Sequence, residues 1–163
     1  MLQLFPRSSE RDPYSTAFDS RRSIHVATSK DGGRTFGEAR KQGLGTWKLA
    51  ACPMDGGSIA SLAAGEVSSV WRREGTLYRT DAAGPEREIA RGEQPVIARG
   101  PGGAWIGWSE KRGGSLRLLA PGAKEPIELA PAALDLVIAA AATGPVYASW
   151  ETAEGKLCYA RID

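Results

Sequence analysis

Arginines dominate the groups with obvious chemistry. Arg7, Arg11, Arg21 and Arg22 flank a short stretch that also carries Asp12, Tyr14 and Asp19. A guanidinium fork grips a carboxylate through two parallel hydrogen bonds, so Arg7 and Arg22 are candidates for holding an anionic ligand. Asp55, Glu93, Gln94 and Arg112 are further ligand-binding candidates in stretches punctuated by Gly and Pro, and Asp135 stands beyond them. Of the five tryptophans, Trp105 falls outside the register described below and is the better candidate for stacking on a ligand ring. His25 is alone inside a strand pattern, which favours a packed or solvent-facing imidazole over a ligand or base. Cys52 and Cys158 match no metal-binding spacing, so neither metal nor cofactor is expected.

The chain that must position these groups has 163 residues, 42% hydrophobic and 25% charged, the balance of an ordinary folded domain. Its net charge of +2 creates no field that would select nucleic acid or an anionic membrane. The longest apolar run, residues 134–142, is Ala-rich, carries Asp135 and falls far short of the ~20 residues of a membrane span. It reads as a buried strand. The opening residues show no charged segment ahead of an apolar core, so no signal peptide is visible.

Three segments repeat one grammar: residues 59–77 (IASLAAGEVSSVWRREGTL), 97–116 (IARGPGGAWIGWSEKRGGSL) and 138–157 (IAAAATGPVYASWETAEGKL). Each runs Ile-Ala, a turn, a strand ending in Trp, a polar Gly turn and a strand opening at Leu. The Ile-to-Trp distances are 12, 11 and 12 residues, and the Trp-to-Leu distances are 6, 8 and 7. Glu74-Gly75, Gly113-Gly114 and Glu154-Gly155 supply the positive φ that closes hairpins, between runs that alternate with period two. A fourth short strand follows in two copies, residues 87–90 and 127–130. The N-terminal stretch reads as a further unit without its first strand, with strands at residues 2–5, 24–29 and 47–49. The resulting count is 3 + 4 + 4 + 3 strands. Intervals of 37 and 42 residues between Trp71, Trp108 and Trp150 suit a four-stranded repeat of roughly 40 to 50 residues. Recurrence at one repeat position assigns these three tryptophans to packing between sheets.

Residues 29–36 read Ser-Lys-Asp-Gly-Gly-Arg-Thr-Phe, a Ser-x-Asp-x-Gly-x-Thr-Phe octapeptide known as an Asp box. Physically, Asp31 can accept hydrogen bonds from turn amides, Gly33 permits the tight backbone, Ser29 and Thr35 add local bonds, and Phe36 anchors the turn. With the strand before it, residues 23–29, and the segments 47–49 and 52–57 after it, this stretch resembles the sialidase-like (BNR repeat) superfamily. The resemblance covers roughly residues 1–62. It implies an all-β fold: an arc of a sialidase-like β-propeller with about three to four four-stranded antiparallel blades, incomplete at both ends. The blades are expected at 1–50, 58–91, 95–130 and 136–163 within a single domain. It also implies a secreted or periplasmic location, and it makes the Asp box a structural turn on the face opposite the catalytic one. The box argues fold and not catalysis.

In a propeller, loops from second to third and from fourth to first strands share one face, where ligands usually bind. Residues 6–22, 51–57 and 92–94 are such loops, with Arg112 and Asp135 on later ones. Enzymes of the resembled family hold a substrate carboxylate with three arginines and use a tyrosine nucleophile with an aspartate acid. No motif places that constellation residue by residue here. Three expectations follow: a non-catalytic module that binds carbohydrate or protein, a sialidase-like glycoside hydrolase fragment, and a half-propeller that closes by homo-oligomerisation. The first is favoured, and the first and third are compatible.

Overall fold

Short runs of period-two apolar residues, each ended by a Gly or Asp turn, give strands whose nearest available partner is the preceding strand. The computed structural model describes residues 2–8, 21–48, 57–62, 66–82 and 84–163. These residues form strands and turns without a helix, arranged in several small antiparallel sheets, none of them closed. The chain divides into two compact units, Met1–Met54 and Asp55–Asp163.

The first unit is one sheet of β1 (Leu2–Ser8), β2 (Arg21–Thr28) and β3 (Arg40–Lys48) in that order. β1 and β2 pair from Leu2 opposite Thr28 to Ser8 opposite Arg22. Ile24, Val26 and Ala27 are buried in β2. All three strands run further than the apolar residues alone suggest. Ladder hydrogen bonds are made by the backbone, so Arg40, Lys41 and Gln42 extend β3 opposite Val26, His25 and Ile24 in spite of weak strand propensity.

The second unit holds three sheets: β4 (Ser58–Ser61) to β7 (Arg87–Arg91), with β5 at Val67–Arg73 and β6 at Thr76–Asp81; β8 (Glu93–Gly100) to β11 (Ile127–Ala130), with β9 at Gly103–Ser109 and β10 at Leu116–Leu119; and β12 (Ala133–Ala140), β13 (Val146–Thr152) and β14 (Leu157–Arg161). Within each sheet every strand pairs only with its neighbours in sequence. Glu74 and Gly75 both have positive φ, 53° and 82°, the geometry of a two-residue type I′ hairpin loop between β5 and β6.

Within this unit the sheets pack face to face in chain order. Between the first and second lie Ala60, Val70, Leu77, Ile97, Ala104, Ile106 and Trp108. Between the second and third lie Ala98, Trp105, Leu118, Ile138 and Val146, continued by Leu116, Ala130, Ala133, Leu136 and Ala148. The middle sheet is therefore buried on both faces. Alternation explains how: on β9, Ala104, Ile106 and Trp108 point one way and Trp105 the other. Each fully buried large side chain contributes about 1.5–3 kcal/mol, so these two interfaces carry most of the unit's apolar stabilisation. Trp71 is buried as well, stacked on Tyr78 with ring centroids 6.3 Å apart. Trp150 packs against the Leu116 cluster.

Candidate functional site

In the first unit, residues 29–36 connect β2 to β3 in a tightly bonded turn. Asp31 Oδ1 accepts from the Arg34 amide at 3.0 Å, the Thr35 amide at 2.9 Å and the Ser29 hydroxyl at 2.7 Å, while Asp31 Oδ2 accepts from the Thr35 hydroxyl at 2.6 Å. Ser29 Oγ in turn accepts from the Gly33 amide at 2.8 Å. Gly32 and Gly33 take φ of 75° and 92°, which a side chain would strain. The hydroxyl and amide of Thr35, then the Ser29 hydroxyl and the Arg34 amide, hold the Asp31 carboxyl well below the usual carboxylate range. All four hydrogen bonds that Asp31 accepts come from its own turn. Phe36 stays 37% exposed, so it anchors the turn only in part.

The second unit carries a more open set of polar groups at the ends of its inner strands, and a repeated backbone clasp positions them. The Gly92 amide, entering β8, donates to Gly75 O in the β5–β6 turn at 3.1 Å. One repeat later, the Ala133 amide, entering β12, donates to Gly114 O in the β9–β10 turn at 3.2 Å. Gly92 and Ala133 stand five residues before Ile97 and Ile138, so the two clasps are equivalent. Each ties the entry to a sheet's first strand to the hairpin turn of the sheet before it. The backbone of both kinds of connection is thus held together at the same end of the sheets.

Immediately after each clasp the inner strand bulges. β8 shifts register between Glu93 and Val96, and β12 between Leu134 and Val137, so two residues face one on the partner strand. The partner residues are Trp108 and Trp150. Gln94 and Asp135 occupy the same place in the two bulges, with φ of 49° and 52°. Positive φ at non-glycine residues costs energy and clusters where backbone is shaped for binding. Gln94 Oε1 is buried without a hydrogen-bond partner, and Asp135 is exposed. Glu93 Oε1 is 3.3 Å from Arg72 Nη2, an ion pair linking β8 to β5. Arg112 is exposed in the β9–β10 turn, beside Gly113, whose position lies 3.9 Å from Leu134 Cδ2 for an added Cβ. At this end of the sheets Arg112 and Asp135 are exposed, whereas Glu93 is engaged by Arg72 and Gln94 Oε1 is buried.

Other expectations change. Arg7 and Arg22 stand on strands and not in a loop, paired in register with Ser23 and Ser8. Glu93, Gln94 and Asp135 likewise belong to strands, at bulges. Trp105, the aromatic ligand candidate, lies in the core between the second and third sheets, 8% exposed, with its Nε1 donating to Pro101 O at 3.3 Å. Asp55 lies outside the described residues. His25 is half-buried, with Nε2 3.0 Å from Ser23 Oγ. Among the described residues no group of three His, Cys, Asp or Glu side chains is placed to hold a metal ion, and no helix is long and apolar enough to cross a membrane.

The chain matches no family model, no curated protein and no solved structure.

Proposed function

We propose that this chain is an arc of an Asp-box, sialidase-like β-propeller that acts as a non-catalytic binding module, taking a carbohydrate or protein ligand on the rim of Glu93, Gln94, Arg112 and Asp135. The observation that carries the reading is the repeated clasp, Gly92 to Gly75 and Ala133 to Gly114, because it brings second-to-third and fourth-to-first loops together as propeller blades do. The bulges at Gln94 and Asp135 add support: both spend backbone strain at the same repeat position, on that rim. The turn at residues 29–36 has the bonding of a structural Asp box and leaves its carboxylate engaged. Glu93 is held by Arg72, so the rim carries an anchored acceptor and not a paired acid and base.

A glycan array of sialylated and neutral oligosaccharides, read beside turnover of a fluorogenic sialoside, tests this. We expect binding without turnover, weakened about tenfold or more by Arg112→Ala with Asp135→Ala, since each lost charged hydrogen bond costs about 1.5–3 kcal/mol. Binding that is unchanged in the double variant moves the site off the rim. Turnover abolished by Arg22→Ala replaces the binding module with a glycosidase.

A further inference from the structure

The outward face of the β12–β14 sheet is apolar where solvent should be met by polar groups. Val137, Tyr147, Leu157 and Tyr159 are 55%, 44%, 77% and 78% exposed. All four point to the same side, because Val137 pairs through Ser149 with Tyr159 and Tyr147 and Leu157 keep the same alternation along β13 and β14. Clustered large apolar side chains of this kind mark interaction surfaces more often than chance solvent exposure does.

The preceding sheet shows what such a face is built for. Ile97 pairs with Ile106 as Ile138 pairs with Ala148, and Gly107 pairs with Leu118 as Ser149 pairs with Tyr159. By that register, Trp105, Leu116 and Leu118 are the counterparts of Tyr147, Leu157 and Tyr159. Those counterparts are 8%, 0% and 1% exposed, covered by the next sheet. The exposed face is therefore equivalent in register to one that is covered by a neighbouring sheet inside the second unit.

We propose that this face is an interface with a second copy of the chain, packed face to face about a two-fold axis. Its charges favour a copy of itself. Glu151 pairs with Leu157 at one end of the β13–β14 ladder, and Arg161 pairs with Tyr147 at the other. Glu151 forms no ion pair among the described residues, while Arg161 engages Asp163 through Nε and one Nη and keeps its remaining N–H groups. A two-fold axis in the plane of the interface and across the strands sets Glu151 of each copy against Arg161 of the other, twice, around a centre of Tyr and Leu. Isologous pairing of this sort is the commonest way soluble chains associate. The proposal does not depend on what the rim binds.

Sedimentation equilibrium of the full chain tests it. We expect a concentration-dependent approach to twice the 17.3 kDa chain mass. Leu157→Lys with Tyr159→Lys should leave a monomer whose circular dichroism and tryptophan emission match the parent. Glu151→Arg and Arg161→Glu should each raise the dimer dissociation constant about tenfold or more, and an equimolar mixture of the two should restore association, since the mixed pair regains both attractive contacts. A parent that stays monomeric, a dimer indifferent to these variants, a mixture that fails to recover, or mass growth beyond two copies would each overturn the proposal.

Discussion

Asp31 shows how much of a local structure one carboxylate can organise. Three of its hydrogen bonds come from Arg34 and Thr35 and a fourth from Ser29, all within four residues in sequence. Because these donors favour the ionised form, the carboxyl titrates below its unfolded value. The stabilisation it provides is complete above the ordinary carboxylate pKa, near pH 4, and is lost as pH falls through the lower folded value. Asp31→Ala should lower the thermal midpoint at neutral pH, and the gap between parent and variant should narrow on acidification below about pH 4. A gap constant with pH would show that the ionised form contributes nothing. Ser29, Asp31, Gly33 and Thr35 were legible in the sequence because the turn is self-contained: every partner lies within the octapeptide. Trp105 was not, since its role depends on a sheet that packs on it from residues 133–161.

At the scale of strands and sheets, the spacing of Ile, Trp and Leu carried most of the information. It separates 3, 4, 4 and 3 strands, and the sheets contain those strands in the order read. It also gives the Gly75, Gly113 and Gly155 turns, all with positive φ. The bulges carry no such signal. Glu93-Gln94-Pro95 looks like a loop and Leu134-Asp135-Leu136 alternates as an unbroken strand would, yet each holds a bulge with the ladder intact on both sides of it. Sheet-to-sheet fit is the other property without a sequence signal. Gly107 looks like a defect in a strand, but a Cβ there would stand 2.5 Å from Leu136 Cδ2 and 3.1 Å from Ile138 Cδ1. The glycine lets the third sheet approach the second closely. Gly107→Ala should cost about 1–3 kcal/mol through overpacking, seen as a lower urea midpoint with an unchanged slope. No loss of stability would mean that Leu136 and Ile138 rearrange freely and that close packing at this point is not required.

In the second unit the middle sheet is packed on both sides, whereas the last, β12–β14, leaves its outward face exposed. That ordering predicts a gradient of local stability. Amides of Ile106 and Leu118, in the doubly covered sheet, should exchange with solvent slowest in native-state hydrogen exchange, and those of Tyr159 and Ala160 on β14 among the fastest. Uniform protection across the three sheets would contradict it. The strictly sequential strand order has a mechanical meaning as well. Since no strand in this unit pairs with one distant in sequence, each sheet can complete its ladder as soon as its own residues leave the ribosome, before the next sheet exists. Tension applied at the carboxyl end would then draw the unit out as a series of hairpin-sized steps, β14 first, and each released sheet could re-form without waiting for the rest.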